Sequence, residues 1–172
     1  MTTPILNLDQ IVLHPLPAEF AATGKAAERY APRIGLVGAQ LGAQKLGYNL
    51  IALAPGMRAF PFHSHRVNEE MFFIVAGVGE IRIGEQRYPL RSGDIVACPA
   101  GDASTAHQII NTGENELRYL ALSTQMSPEV VEFPDSGKYS VQVDHTVDAN
   151  GQSKGFRTVG KLGEALDYWD GE

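Results

Sequence analysis

The chain has 172 residues, 44% of them hydrophobic, and a formal net charge of −6 from 20 acidic and 14 basic side chains. That length suits one domain with its own core, and an acid excess with no Lys/Arg cluster argues against a nucleic-acid partner. No apolar run is long enough to cross a membrane, and Met1 to Leu13 lacks the basic start and apolar core of a secretory leader, so a cytoplasmic protein is expected.

Residues 1–33 mix proline, alanine and charge and read as an N-terminal arm. Pro15 and Pro17 bar a helix at that point, and a short helix could run from Ala18 to Tyr30, before Pro32. His14 has no ligand-like neighbour and reads as solvated. Residues 34–125 read as the barrel core. Its short strands are Leu46 to Ala54, Glu70 to Ala76, Glu80 to Ile83, Arg87 to Leu90, Asp94 to Pro99, Ala106 to Asn111 and Leu117 to Ser123. Turn signals separate them, among them Pro55-Gly56, Gly84-Glu85 and Ser92-Gly93-Asp94. Regular short strands between glycine turns predict an all-β sandwich or closed barrel, here a jelly roll. Met71 to Val75 and Tyr119 to Leu122 are apolar on both faces, so the arm, the C-terminal tail or a second subunit should cover the outer one. The single cysteine, Cys98, excludes an internal disulfide and reads as buried filler in a strand.

Residues 126–172 are expected to pack on the barrel as further strands and a tail. Glu129 to Phe133 and Tyr139 to Val143 read as strands around a Pro134 to Gly137 turn, and 144–160 reads as polar, glycine-rich loop. His145, with no ligand spacing, reads as surface. Tyr168 and Trp169 near the end are expected to anchor the tail on the domain.

The chemistry concentrates between Pro55 and Gly77. His63 and His65 are two residues apart, which on an extended strand puts both imidazoles on one face. Arg66-Val67-Asn68 reads as a turn, after which Glu69 or Glu70 could bring a carboxylate back to the pair. His107, beyond the Pro99-Ala100-Gly101 turn, is a candidate further ligand. Three neutral imidazoles and a carboxylate suit a divalent transition metal such as Zn, Mn, Fe, Co or Ni.

Gly56, His63, His65, Glu70 and Gly77 resemble the first motif of the cupin family, and Gly93, Pro99, Gly101, His107 and Asn111 resemble the second. The spacer from Gly56 to His63 and the loop from Gly101 to His107 are longer than the family's usual pattern, a change that chain entropy tolerates. The resemblance spans about residues 46–125. It implies a cupin jelly roll (a double-stranded β-helix), selects Glu70 over Glu69 as the ligand, and fits the family's habit of forming homodimers. The long second-motif loop and the ending Asp-Tyr-Trp-Asp-Gly-Glu are similar to a subgroup of single-domain cupins labelled sugar-phosphate isomerases.

Around such a site the pattern offers Tyr48, Arg58, Phe72, Thr105 and Gln108 as candidate substrate contacts, in a mostly apolar lining. No catalytic base stands out. Three readings remain open: a metal-dependent isomerase of a sugar or sugar phosphate, a metal-dependent dioxygenase, and a non-catalytic cupin that binds a small ligand.

Overall fold

Alternating side chains and glycine turns produce a fold that is almost wholly antiparallel sheet, seen in a computed structural model that describes residues 4–18, 20–147, 153–164 and 166–172. The first strands are β1 (His14–Pro15), β2 (Arg33–Leu36), β3 (Leu46–Leu53) and β4 (Ser64–His65), followed by β5 (Glu70–Ala76) and β6 (Val78–Ile83). After them come β7 (Gln86–Arg91), β8 (Ile95–Cys98), β9 (His107–Ile110) and β10 (Leu117–Thr124). The chain continues through β11 (Glu129–Phe133), β12 (Lys138–Val147) and β13 (Ser153–Lys161). Six strands form one sheet in the order β1-β2-β3-β10-β5-β8. A three-stranded sheet, β7-β6-β9, and a four-stranded sheet, β13-β12-β11-β4, complete the jelly roll.

The registers fix which side chains face inward. Ser123 pairs with Glu70 and Ala121 with Phe72, so these four share one face, which continues to Tyr119. That inner face closes on a core that includes Ile51, Leu53, Phe72, Ile74, Ile81 and Ile109. Burial of such side chains stabilises the fold by roughly 1.5–3 kcal/mol each. The outer face of β3 and β10 is apolar too, and the N-terminal arm covers it. Ile11, Val37 and Leu50 form a second cluster, with Leu6, Leu8, Leu13, Tyr48, Val75 and Leu120 packed on it. Gly35 makes this possible, because a Cβ there would run into the Ile11 side chain. Across β5 and β8 the outer face is left open, with Ile95 71% exposed.

Two stretches differ from their sequence reading. Of the expected helix from Ala18 to Tyr30, the described residues 20–30 form turns and a short 3-10 segment, Gly24–Ala26; Gly24 sits at φ +55, outside the helical region. Residues 144–160 read as loop, yet the end of β12 and most of β13 lie there. The misleading residues are glycines that the pairing needs: a Cβ on Gly160 would meet the Tyr139 ring. Tyr168 and Trp169 pack edge to face on each other and stay largely exposed. The side chain of His145 lies outside the described ones.

Candidate metal centre

His63 reaches the site from a bridge to β9, not from a long strand. Its backbone exchanges two hydrogen bonds with His107, 3.2 and 2.8 Å long, so the two residues sit directly opposite one another. Their rings are 4.8 Å apart between centroids. Glu70 opens β5 and points inward, while Glu69 is exposed. Glu70 Oε2 lies 2.7 Å from His107 Nε2, 3.6 Å from His65 Nε2 and 3.9 Å from His63 Nε2. The ligand atoms of His63, Glu70 and His107 all lie within 4.8 Å of one another, a group that could hold a metal ion. His65 stands at its edge, its ring centroid 6.3 Å from that of His107.

The donor atoms are oriented for this role. His63 Nδ1 lies 2.8 Å from the Pro61 carbonyl and His107 Nδ1 3.3 Å from that of Thr105. An N–H at each Nδ1 donates to its carbonyl, which turns each Nε2 toward the Glu70 carboxylate; without an ion, His107 Nε2 carries a proton and donates it to Glu70. Burial and the neighbouring His107 charge lower the His63 pKa to about 4, so His63 is neutral at pH 7. For His107, burial acts downward, but hydrogen bonds with Cys98 and Glu70 outweigh it and push the pKa up to about 10. Burial also opposes the Glu70 charge, while the His107 hydrogen bond and the surrounding imidazoles hold its pKa below the usual carboxylate value. Without an ion, then, His107 and Glu70 share a proton that a metal would displace. Two converged imidazole nitrogens and a carboxylate, with the His65 imidazole at their edge, are a donor set that suits a divalent transition metal.

A residue the sequence reading passed over organises the turn between the ligands. Glu129, at the start of β11, is 5% exposed and accepts hydrogen bonds from the backbone N–H groups of Arg66 (3.1 Å), Val67 (3.2 Å), Asn68 (2.9 Å) and Val130 (2.8 Å). The Asn68 side-chain amide donates to it as well. Its Oε2 lies 3.4 Å from His65 Nδ1, a buried nitrogen with no hydrogen-bond partner of normal geometry. Period two in β11 places Glu129 on the face of buried Val131, and a carboxylate on an inward face was the available signal.

The site borders two cavities. One, of about 40 Å³, is mostly apolar and is lined by Phe72, Tyr119 and Gln108 together with His63, Glu70 and His107. Gln108 itself donates to the Phe60 carbonyl at 2.7 Å. The other, of about 640 Å³, opens beside His65 and Glu129, with Tyr48 on its wall. Arg58 and Thr105 line neither. Arg58 is held by its backbone between Tyr30 and Ile110, and the Thr105 hydroxyl donates to the Asp102 carbonyl.

The family model for the cupin domain matches residues 49–123. No curated protein matches the chain. Among solved structures, one from Acidithiobacillus ferrooxidans, provisionally described as a sugar phosphate isomerase, is 20% identical with a TM-score of 0.74, covering 95% of this chain and 96% of its own. One from Silicibacter pomeroyi, described as a sugar phosphate isomerase from a cupin superfamily, is 23% identical with a TM-score of 0.74, covering 96% and 98%. A predicted oxalate decarboxylase from Thermotoga maritima is 18% identical with a TM-score of 0.55, covering 71% and 99%. At such identities the likeness is one of fold. Residues 49–123 match the cupin domain, and the double-stranded β-helix built around them is the fold these neighbours share.

Proposed function

We propose that the protein is a metal-dependent cupin enzyme that isomerises a small hydroxy-carbonyl compound of the sugar class. The observation that carries this reading is the convergence of His63, Glu70 and His107, with His65 beside them on the wall of a 640 Å³ chamber. His63, His65, Glu70 and His107 would hold the ion, which supplies Lewis-acid polarisation of neighbouring carbonyl and hydroxyl oxygens. The Pro61 and Thr105 carbonyls keep two imidazoles in the ligating tautomer, and Glu129 keeps the turn between His65 and Glu70 closed. Burial, with the Glu70 charge, raises the Tyr119 pKa, so its hydroxyl remains a proton donor beside the site. Phe72 and Gln108 would exclude water on the apolar side, while Tyr48 borders the chamber. Arg58 and Thr105 act through the backbone positions given above.

The two neighbours described as sugar phosphate isomerases support the reaction class. For assembly, the uncovered outer face at β5 and β8 supports a homodimer. The free, buried Cys98 agrees with a reducing cytoplasm, and no described helix is long and apolar enough to cross a membrane.

The test is elemental analysis followed by proton NMR in D2O, with a panel of aldoses and ketoses and their phosphates. Loss of the carbon-bound proton next to the carbonyl, dependent on the bound metal, is expected. A metal-loaded protein that exchanges no proton in any member of the panel overturns the isomerase reading.

A further inference from the structure

The larger cavity has a composition that discriminates between substrates of one reaction class. Its neutral polar lining includes Gln44, Asn49, Ser123, Thr124, Gln125 and Gln142. Its charged lining beside His65 consists of two carboxylates, Glu129 and Asp144, and no lysine or arginine is among the described residues around it. The arginine next to the metal ligands is already engaged: Arg66 donates to Glu132 from Nε at 2.9 Å and from a terminal nitrogen at 2.7 Å. The helix at the chamber wall, Gly38–Leu41, has only four residues and offers no anion site.

Phosphate esters carry close to two negative charges. Proteins hold them with arginine or lysine forks, helix N-termini or glycine nests. None of these faces this chamber among the described residues, and its two carboxylates oppose an anion. Amides and hydroxyls are the groups that pair with the alternating donors and acceptors of a polyol. A volume of about 640 Å³ lies within the usual range for small-molecule pockets.

We infer that this chamber is the substrate pocket and that it takes an uncharged polyhydroxylated compound, a free sugar or polyol, in preference to its phosphate ester. This rests on the isomerase reading for the metal's role but concerns binding alone. The register sets Ser123, on the chamber wall, opposite Glu70, and His65 lines the chamber itself, so the chamber reaches the candidate ligands through His65. The reacting end of the sugar would lie at the metal, and its far end among Asn49, Gln125 and Gln142.

The experiment is saturation-transfer NMR titration of the metal-loaded full chain with D-glucose and D-ribose, each beside its terminal phosphate. At least one free sugar should bind ten-fold or more tightly than its phosphate. Gln142→Lys, a half-buried site on the chamber wall, should narrow that gap at least three-fold, with the circular-dichroism spectrum unchanged. A phosphate ester binding as tightly as the free sugar, or no binding by either free sugar, overturns the inference. So does a folded Gln142→Lys protein with an unaltered gap. Deuterium uptake is read in the same tubes: a free sugar that binds without exchange refutes the isomerase and leaves this preference standing. Exchange on a tightly bound phosphate does the reverse.

Discussion

Glu129 can be removed as a carboxylate or as a side chain, and the two changes should separate its roles. In Glu129→Ala the N–H groups of Val67 and Asn68 lose their acceptor, while that of Arg66 keeps the Val130 carbonyl at 2.9 Å. Asn68 is 7% exposed, so its N–H gains little water in exchange. An unsatisfied buried donor costs about 1–3 kcal/mol, and bonds to a charged acceptor are the stronger kind. Val67 is more exposed and recovers part of its loss from solvent. The expected destabilisation is therefore about 2–4 kcal/mol for Glu129→Ala. Glu129→Gln retains one oxygen but turns an NH2 toward the Asn68 donors, which should cost about 1–2 kcal/mol. Both changes also remove the carboxylate 3.4 Å from His65 Nδ1. Loss of such an outer partner typically weakens metal binding ten- to hundred-fold. Urea unfolding of the metal-free protein reads the first effect, and chelator competition reads the second. A Glu129→Ala protein within about 0.5 kcal/mol of wild type, with unchanged metal affinity, would refute the account of the turn.

The ligand assignment predicts that a His63→Ala, His107→Ala double mutant copurifies with far less metal than wild type; equal content by elemental analysis sinks it. The folded pKa of His107 is raised to about 10, so metal uptake at neutral pH should release about one proton, measurable by calorimetry in buffers of different ionisation enthalpy. In the metal-free protein, the lowered His63 pKa removes stability as pH falls from about 6.5 to about 4, because the unfolded imidazole takes up the proton first. The raised His107 pKa contributes stability below about 6.5 that is lost as pH rises toward about 10. The two should give a maximum near pH 6.5 in chelator, and stability climbing from pH 7 to 9 would contradict this. Ile11→Ala should lower stability by about 2 kcal/mol by opening the seam under the arm. Ile95→Lys should shift sedimentation toward monomer if the open outer face is the dimer contact, and an unchanged dimer would place the contact elsewhere.

The approach of Glu70 to the histidines was legible because the period-two pair, the turn and the returning strand lie within a few residues; the choice of Glu70 over Glu69 needed the family pattern, and His107 comes from a later strand. Glu129 was not read, because its partners are backbone N–H groups far upstream: the period of β11 marks it as an inward carboxylate but not which turn it serves. Strand β13 was hidden by glycines whose absent side chains make room for neighbours such as Tyr139. The two-sided apolar strands correctly called for a cover without choosing among arm, tail and partner. The registers place the arm on one half of that face.

The pairing of His65 with Val131, and of Ser64 with Glu132, has a consequence for biogenesis. The ribosome releases His63, His65, Glu70 and His107 well before β11, so for a time the nascent chain holds its ligands without the strand that sets one of them. Long-range pairings of this kind form late, because their loop entropy must be overcome first. An ion captured early would meet a loose, three-point chelator open to whichever metal is abundant. Once β4 and β11 zip together, His65 is locked in place and exchange should slow. For an ion bound at this site, the timing of one short strand would then set the choice of metal as much as affinity does.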